Sequence, residues 1–371
     1  MRRIATATAV DDLFGSGKKG FGEGDPAAGQ KATDTSEAWF NDVQEELAAF
    51  VEHVGRTLGD DNTQARLGAR DMLQLAEWTR VDPDFNTGIA VGWRTGSGST
   101  DPHFVVFDGA NSKKTSYDGQ TWSSSGGLGA FIEVADVLHT GAAWYAAGSN
   151  GVNRSTDLSS WTNYALGGGY YYGIGYSGSN AWVCVGAGGA LYTSSTGTSW
   201  TSRTSGTAND LRRVAYGDGV WVAVGASGTI VRAPSTFTTW ATATSGTANT
   251  LRGVAYGDVG GGIWVAVGYS ATAIWSDDQG ATWTAASAVG NIQDFYGLRW
   301  SVRHRCFIAV GDDANGDGVI AVSRDGDTWV KLRPRASYAL YELCEADDLT
   351  LAVGDTGAMM RTPRSFDYLA P

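Results

Sequence analysis

The sequence is short of the residues on which most enzyme chemistry depends. It has 4 His and 3 Cys in 371 residues. His53, His103, His139 and His304 are scattered, so neither a zinc site nor a Ser–His–Asp constellation has its ligands or base close together in sequence. Beyond Asp82 only Glu133, Glu342 and Glu345 supply glutamate. None sits in a motif that would pair two carboxylates for glycoside hydrolysis. Phosphate-loop and nucleophile-elbow patterns are missing as well. The expectation is a protein that is not an enzyme. The cysteines are odd in number, and Cys184 and Cys306 lie in or beside apolar stretches, so Cys184, Cys306 and Cys344 imply no disulfide framework. No apolar run approaches the roughly 20 residues that cross a bilayer, and MRRIATATAV is too short and polar for a secretory leader. Synthesis and assembly in the cytoplasm are expected, without membrane insertion. Lys and Arg number 27 against 39 Asp and Glu, a net charge of -12. That balance argues against nucleic acid as a partner, because phosphate backbones are held by clustered cations.

Glycine and tryptophan are plentiful, 52 and 15 respectively, with only 7 Pro. SGTANDLRRVAYGDGVWVAVGASGTI at 205 returns forty residues later as SGTANTLRGVAYGDVGGGIWVAVGYSATAI. A Gly closing an apolar stretch recurs at Gly109, Gly148, Gly186, Gly225, Gly268, Gly311 and Gly354, every 38 to 43 residues. A Trp keeps step at Trp122, Trp161, Trp200, Trp240, Trp283 and Trp329, with Leu369 in the seventh place. Repeats near this length with several short strands and a fixed aromatic signify propeller blades. In the unit at 211–244, LRRVAYGD reads as the innermost strand, VWVAVG as the next, TIVRA as the third and TTWATAT as the outermost. VWVAV is too continuously apolar for a half-exposed strand and should be buried on both faces. The expected fold is mainly β: a seven-bladed β-propeller over 78–371, preceded by an extended arm over 1–35 and a short helical stem over 36–77. Two segments compete to close the ring, AEWTRVD at 77–83 and SFDYLAP at the C-terminus; the first is favoured to pair with the last blade, with the final residues beside it.

The arm has almost no apolar periodicity and cannot make a core. Ile4, Leu13, Phe14 and Phe21 are its candidate anchors for ordering against a partner. From Ser36 the pattern turns helical, with Trp39, Phe40, Val43, Leu47, Phe50, Val51 and Val54 on one stripe. Such a stripe must be covered, either by the propeller or by copies of itself in a homo-oligomer.

ATATAVDDLFG, GFGEGDPAAGQKAT, SEAWFNDVQEELAAFVEHVG and LGDDNTQARLGA together resemble the N-terminal segment of tailed-phage tail-fibre proteins, over residues 1 to about 75. The resemblance implies a virion tail protein joined to other tail proteins through its arm, commonly as a trimer, with its distal part facing the host. A propeller in place of a long fibre departs from that pattern. SYDGQTW at 116, SDDQGATW at 276 and SRDGDTW at 323 are similar to the Asp-box of sialidase-like propellers, and STDLSSW, SSTGTSW and PSTFTTW to worn copies of it. In such boxes the Asp accepts from turn amides while the Trp packs beneath, which steadies a hairpin and carries no chemistry. Three roles follow as alternatives: a receptor-binding tail protein gripping a host-surface glycan or protein, a structural tail or head decoration protein, and a glycan depolymerase.

Aligning the inner strands on the Val of LRRVAYG puts Ile89, Val134, Ile174, Val214, Val254, Leu298 and Leu343 in register. Two residues earlier stand Thr87, Ile132, Tyr172, Arg212, Arg252, Tyr296 and Tyr341, which should ring the channel mouth. Tyr and Arg together suit sugars bearing carboxylate or phosphate groups, and Tyr170 and Tyr171 should extend the surface. The plainer alternative is that these side chains pack between blades or fill the channel. No cofactor is expected, with one candidate for calcium: Asp313, Asn315 and Asp317 alternate before Gly318 like the first half of a calcium loop, although Arg324 stands where a closing Glu belongs.

Overall fold

The computed structural model describes strands 9–11 and 19–21 and most of 78–362, apart from 82–86, 95–103, 109–111, 125–132, 259–260, 288, 290–291, 333–335 and 347–348. The chain divides into two units, Met1–Leu75 and Ala76–Pro371. In the first, Ala9–Asp11 pairs antiparallel with Lys19–Phe21, Val10 opposite Gly20. Phe21 is thus placed by its backbone in a strand, while Leu13, Phe14, the whole stem and its stripe of Trp39, Phe40, Val43, Leu47, Phe50 and Val54 lie outside the described residues.

The second unit is a β-propeller. Five of its sheets have four antiparallel strands in the order inner to outer, as in Leu211–Gly217, Val220–Gly225, Ile230–Pro234 and Ala241–Ala243. All six residues of Val220–Gly225 are buried, because the pleat sends alternate side chains to opposite neighbours. Val220, Val222 and Val224 pack with Val254, Trp264 and Ala266 of the following sheet. Trp221 and Ala223 pack with Val183, Val185 and Leu191 of the preceding one. Trp221 is 0% exposed, and burying a ring of its size yields on the order of 4–6 kcal/mol before entropy is charged.

The expected count of seven separate blades needs correction. Besides the five four-stranded sheets there is one of six strands, so six sheets surround the axis. The difference lies in Thr162–Tyr176, whose beginning pairs with Trp144–Ser155 and whose end pairs with Trp182–Gly186. Gly167, Gly168 and Gly169, all at positive φ, let the chain bend there without leaving the sheet. Two sequence repeats are thereby fused into one hydrogen-bonded sheet. Inner segments still follow one another around the axis: Gly88–Trp93 lies beside Val134–His139, and the succession continues through Thr162–Tyr176, Leu211–Gly217, Leu251–Gly257 and Asp294–Ser301 to Leu340–Glu345, which packs back on the first.

Both sequence markers have physical causes. A Cβ on Gly225 would come 1.9 Å from the carbonyl oxygen of Asp210, and one on Gly311 equally close to that of Asp294. The second strand therefore tolerates only glycine where it crosses the start of the inner strand. The Trp marker sits beneath a turn: Trp283 Nε1 donates to the Gly280 carbonyl at 3.0 Å and Trp329 Nε1 to that of Gly326 at 3.1 Å. Above it, Asp278 Oδ1 accepts from the amides of Ala281 and Thr282 at 3.0 and 2.8 Å. Asp118 and Asp325 hold their turns the same way.

The ring closes with the segment around residue 79. Thr79–Arg80 forms the outermost strand of the last sheet, with Met360 opposite Arg80 and Arg361 opposite Thr79. Trp78 beside it is 7% exposed. Residues 363–371, the competing segment, lie outside the described residues.

Candidate functional site

Each inner strand carries one extra residue where it meets the end of the second strand, at the glycine marker in six repeats and at Asp108 in the first, whose marker Gly109 lies outside the described residues. The register slips between Leu211 and Arg213, Leu251 and Gly253, Phe295 and Gly297, Leu340 and Glu342, and Tyr171 and Gly173, and likewise between Gly88 and Ala90 and between Val134 and Asp136. A bulged residue is excused from the ladder and its side chain is re-aimed. The bulged residues are Ile89, Ala135, Tyr172, Arg212, Arg252, Tyr296 and Tyr341. Five of the seven are those expected at the channel mouth; the other two differ. Thr87 instead donates its hydroxyl to Asp355 Oδ1 at 2.9 Å, and Ile132 lies outside the described residues. The expected alignment was short by two residues in the first repeat and three in the second.

A cavity of about 540 Å³ opens there, lined by Ile89, Glu133, Ala135, Tyr170, Tyr172, Arg212, Arg213, Arg252 and Tyr341. That volume suits a small ligand or one residue of a polymer. Tyr296 stands behind the lining, its ring edge-on to Tyr341 at 5.1 Å and its hydroxyl donating to Asp312 Oδ2 at 3.2 Å. Tyr171 does not join the site. It is 2% exposed, packed with Tyr145, Leu166, Ile174 and Trp182, and its hydroxyl donates to the Leu166 carbonyl. Successive strand residues face opposite ways, so in YYY only the outer two tyrosines share a side.

The three arginines of the cavity are not equivalent. Arg212 Nη2 pairs with Asp210 Oδ2 at 3.0 Å, and its guanidinium lies 4.0 Å over the Tyr172 ring, which in turn stacks on Tyr170 at 4.9 Å. Arg213 Nη2 pairs with Glu342 Oε2 at 2.5 Å, and Nη1 donates to the Tyr172 carbonyl at 2.6 Å. Glu342 Oε1 also faces Arg299 Nη2 at 3.5 Å, and Asp136 Oδ1 lies 3.9 Å from the same nitrogen. These four charges come from four inner strands, and of them Arg213 lines the cavity. Burial opposes the ionisation of Glu342, but Arg299 and Arg213 outweigh it and hold its carboxyl below the usual range. For Asp136 burial wins over Arg213 and Arg299, Glu342 adds repulsion, and the carboxyl is held above its usual range. Arg252 has no carboxylate partner among the described residues. Burial depresses its pKa, and Tyr269, Arg213, Arg212 and Tyr296 are the groups it feels. Its guanidinium sits 5.5 Å from the Tyr269 ring and 5.8 Å from that of Tyr296. Glu133 is exposed at the rim, and after burial it is the group that most raises the Tyr170 phenol above its usual range.

No sequence signal marks Asp136, Asp210, Arg213, Tyr269 or Arg299 as part of a site, and Glu133 and Glu342 stand out only through the rarity of glutamate beyond Asp82, with no motif to give them a role. At the calcium candidate, Asp313 Oδ2 is paired with Lys331 Nζ at 3.0 Å while Oδ1 accepts from the amides of Asn315 and Asp317 at 3.0 and 3.3 Å. No group of three or more His, Cys, Asp or Glu converges among the described residues.

The fold and this mouth define a β-propeller with a polar axial cavity. No family model matches the chain. A short N-terminal part is similar to "Uncharacterized protein StfP" of Escherichia coli (strain K12), 48% identical over 76 residues, which is 20% of this chain and 36% of that protein. This chain therefore matches about a third of that relative's length. Among solved structures, "YCF48 bound to D1 peptide" is similar with a TM-score of 0.61 at 18% identity, covering 77% of this chain and 96% of the other. "YCF48 from Cyanidioschyzon merolae" follows at 0.56 and 16%, covering 77% and 98%. Identities this low show the fold alone.

Proposed function

We propose that this protein is a phage virion tail component that attaches through its N-terminal segment and presents the propeller to the host surface. The observation that carries the reading is the 48% identity of the N-terminal part to a protein whose name is of the side-tail-fibre kind. Likeness over that part, in a chain whose remainder is a propeller, is what a shared attachment segment with an exchangeable host-facing end would produce. The cavity gives the distal end something to bind with, since aromatic and arginine side chains around a concave mouth can orient a polar ligand. The same carboxylates that serve structure, Glu342 and Asp136, are consumed in ion pairs, which favours binding over hydrolysis. The stem stripe gives the assembly its multiplicity, as a homo-oligomer and in this reading a trimer.

The test is an adsorption assay on particles carrying the double change Tyr172→Ala with Arg212→Ala. Host adsorption is expected to fall at least about tenfold with circular dichroism of the purified chain unchanged. Undiminished adsorption overturns receptor binding at the mouth and leaves a structural tail or head protein. Release of reducing sugar from host glycan would instead establish a depolymerase. For the oligomer, light scattering should give a multiple of the chain mass for residues 1–371 and a single mass for 76–371. Equal masses would refute association through the stem.

A further inference from the structure

We propose that the axial cavity is a single-carboxylate site for an acidic sugar, in which Arg252 alone of the three arginines binds the ligand's charge. This rests on the reading of the propeller as host-facing and deepens it by naming the ligand class and the residue that selects it.

Arg212 is neutralised by Asp210 at 3.0 Å, and Arg213 by Glu342 at 2.5 Å, with further fixed bonds to the Tyr172 carbonyl and to that of Arg212. Their guanidinium groups are committed to holding the ring. Arg252 is half-buried at the same level, flanked by phenol rings and by the other two arginines, with no carboxylate within reach among the described residues. A half-buried guanidinium with no carboxylate at hand is an unsatisfied cation, and a carboxylate can engage its planar fork with two parallel hydrogen bonds. One spare positive charge matches one negative charge, so a monoanion fits and a phosphate dianion would be left with an excess.

The remainder of the lining says what carries the carboxylate. Tyr172 has the Arg212 guanidinium over its ring and Tyr170 tilted against it, and Tyr296 stands edge-on to Tyr341. The aromatic faces are thus partly used up within the ring, and the cavity offers hydroxyls and guanidinium edges alongside apolar wall in about equal measure. Ile89 and Ala135 are its apolar lining residues. Such a surface suits a hydroxyl-rich ring better than a peptide side chain, and about 540 Å³ accommodates a sugar residue with its neighbours emerging toward solvent. Glu133, beside Tyr170 at the rim, lies across from Arg252 in the ring order and disfavours a second acidic group there, which again favours one carboxylate per recognised unit.

The test uses the purified full chain titrated by calorimetry with glucuronate, N-acetylneuraminate, glucose, inorganic phosphate, and the peptide acetyl-Gly-Gly-Ala with a free C-terminus. At least one acidic sugar is expected to bind about tenfold or more tighter than glucose. Its carboxyl-reduced form should lose that gain without any change to the protein. Arg252→Gln should abolish the preference, and Arg252→Lys should restore only part of it, since an ammonium lacks the fork. Glucose binding as tightly as both acids overturns the proposal, as does retained preference in a folded Arg252→Gln chain. Tighter phosphate would make this a dianion site, and a tighter peptide a site for protein termini; either result also overturns it. Acid-dependent binding by the purified chain, with particle adsorption indifferent to Arg252→Gln, would leave the site standing and sink the tail-receptor reading.

Discussion

At the scale of single residues the axis shows how unevenly similar side chains are used. Arg213 and Glu342 are 129 positions apart and meet only when the ring is complete. Glu342 has 1% of its side chain exposed, so removing its partner strands a buried charge. Arg213→Met is expected to cost about 3–5 kcal/mol by urea denaturation. Arg252→Gln, which breaks no ion pair, should change stability by less than about 1 kcal/mol. A second residue-scale consequence concerns pH. His304 is 3% exposed with neither ring nitrogen hydrogen-bonded, and burial, with Arg303 and Arg324, lowers its pKa to about 3. The unfolded chain titrates it near about 6.5. Between those values the unfolded state holds a proton that the folded state refuses, so this contribution is fully present above pH about 6.5 and is lost as the pH falls toward about 3. His139, lowered to about 4 by burial and Arg94, acts in the same direction. Denaturation midpoints at pH 7 and pH 5 should differ in the native sequence, and His304→Leu should shrink that difference. An unchanged difference would show that His304 is not buried neutral. The arginines and tyrosines of the mouth could be found in the sequence because they repeat in phase. Their carboxylate partners could not, because no local pattern records which strands a closed ring brings face to face.

Among the elements, the glycine that ends the second strand in six of the repeats and the bulge of the inner strand are two sides of one contact. Gly225→Ala pushes a methyl into the Asp210 carbonyl, 1.9 Å from an ideal Cβ. It is expected to destabilise by at least about 1–3 kcal/mol, with a lowered melting temperature as the measurement. It should also shift Arg212, the bulged residue that follows Asp210, so a mutant that folds is expected to bind more weakly too. The turn carboxylates give a smaller effect. Asp278 accepts from two amides and two hydroxyls, of Thr282 and Ser276, which bring its pKa down to about 2. Asp278→Ala should cost about 1 kcal/mol near neutral pH. The wild-type advantage is present above the unfolded value of about 3.9 and disappears as the pH falls toward about 2. Periodicity made the strands and turns legible, since glycine and tryptophan mark positions fixed by close contact. Register was legible only where repeats are near-identical. In the first two repeats the alignment to LRRVAYG slipped, because Gly88–Trp93 and Val134–His139 share little beyond apolarity with that stretch and a bulge leaves no signature of its own. The blade count differed for a related reason: a run of glycines reads as a loop in sequence and serves here as a bend within a strand.

For the molecule as a whole, closure depends on a strand of two residues, Thr79–Arg80, continued by the Val81 amide donating to the Met359 carbonyl at 2.8 Å. Arg361 Nη2 reaches Gln120 Oε1 at 3.0 Å and ties the last sheet to the first. Trp78→Ala should lower stability by roughly 3–5 kcal/mol. Truncation to 82–371, which deletes the closing strand, should leave the last sheet with an open edge and promote aggregation, whereas 76–371 should stay soluble; sedimentation of the two distinguishes them. Equal behaviour would mean that closure is carried elsewhere. The same strand is also where the ring joins everything that precedes it in the chain. Tension applied through the N-terminal segment enters the propeller at Trp78 and falls first on the few hydrogen bonds between Thr79–Arg80 and Met359–Arg361. In a pulling experiment the earliest rupture should therefore be the loss of this strand at low force, lengthening the chain by only a few residues while the remaining sheets hold. The closure is a mechanical fuse, yielding before the walls of the cavity are disturbed.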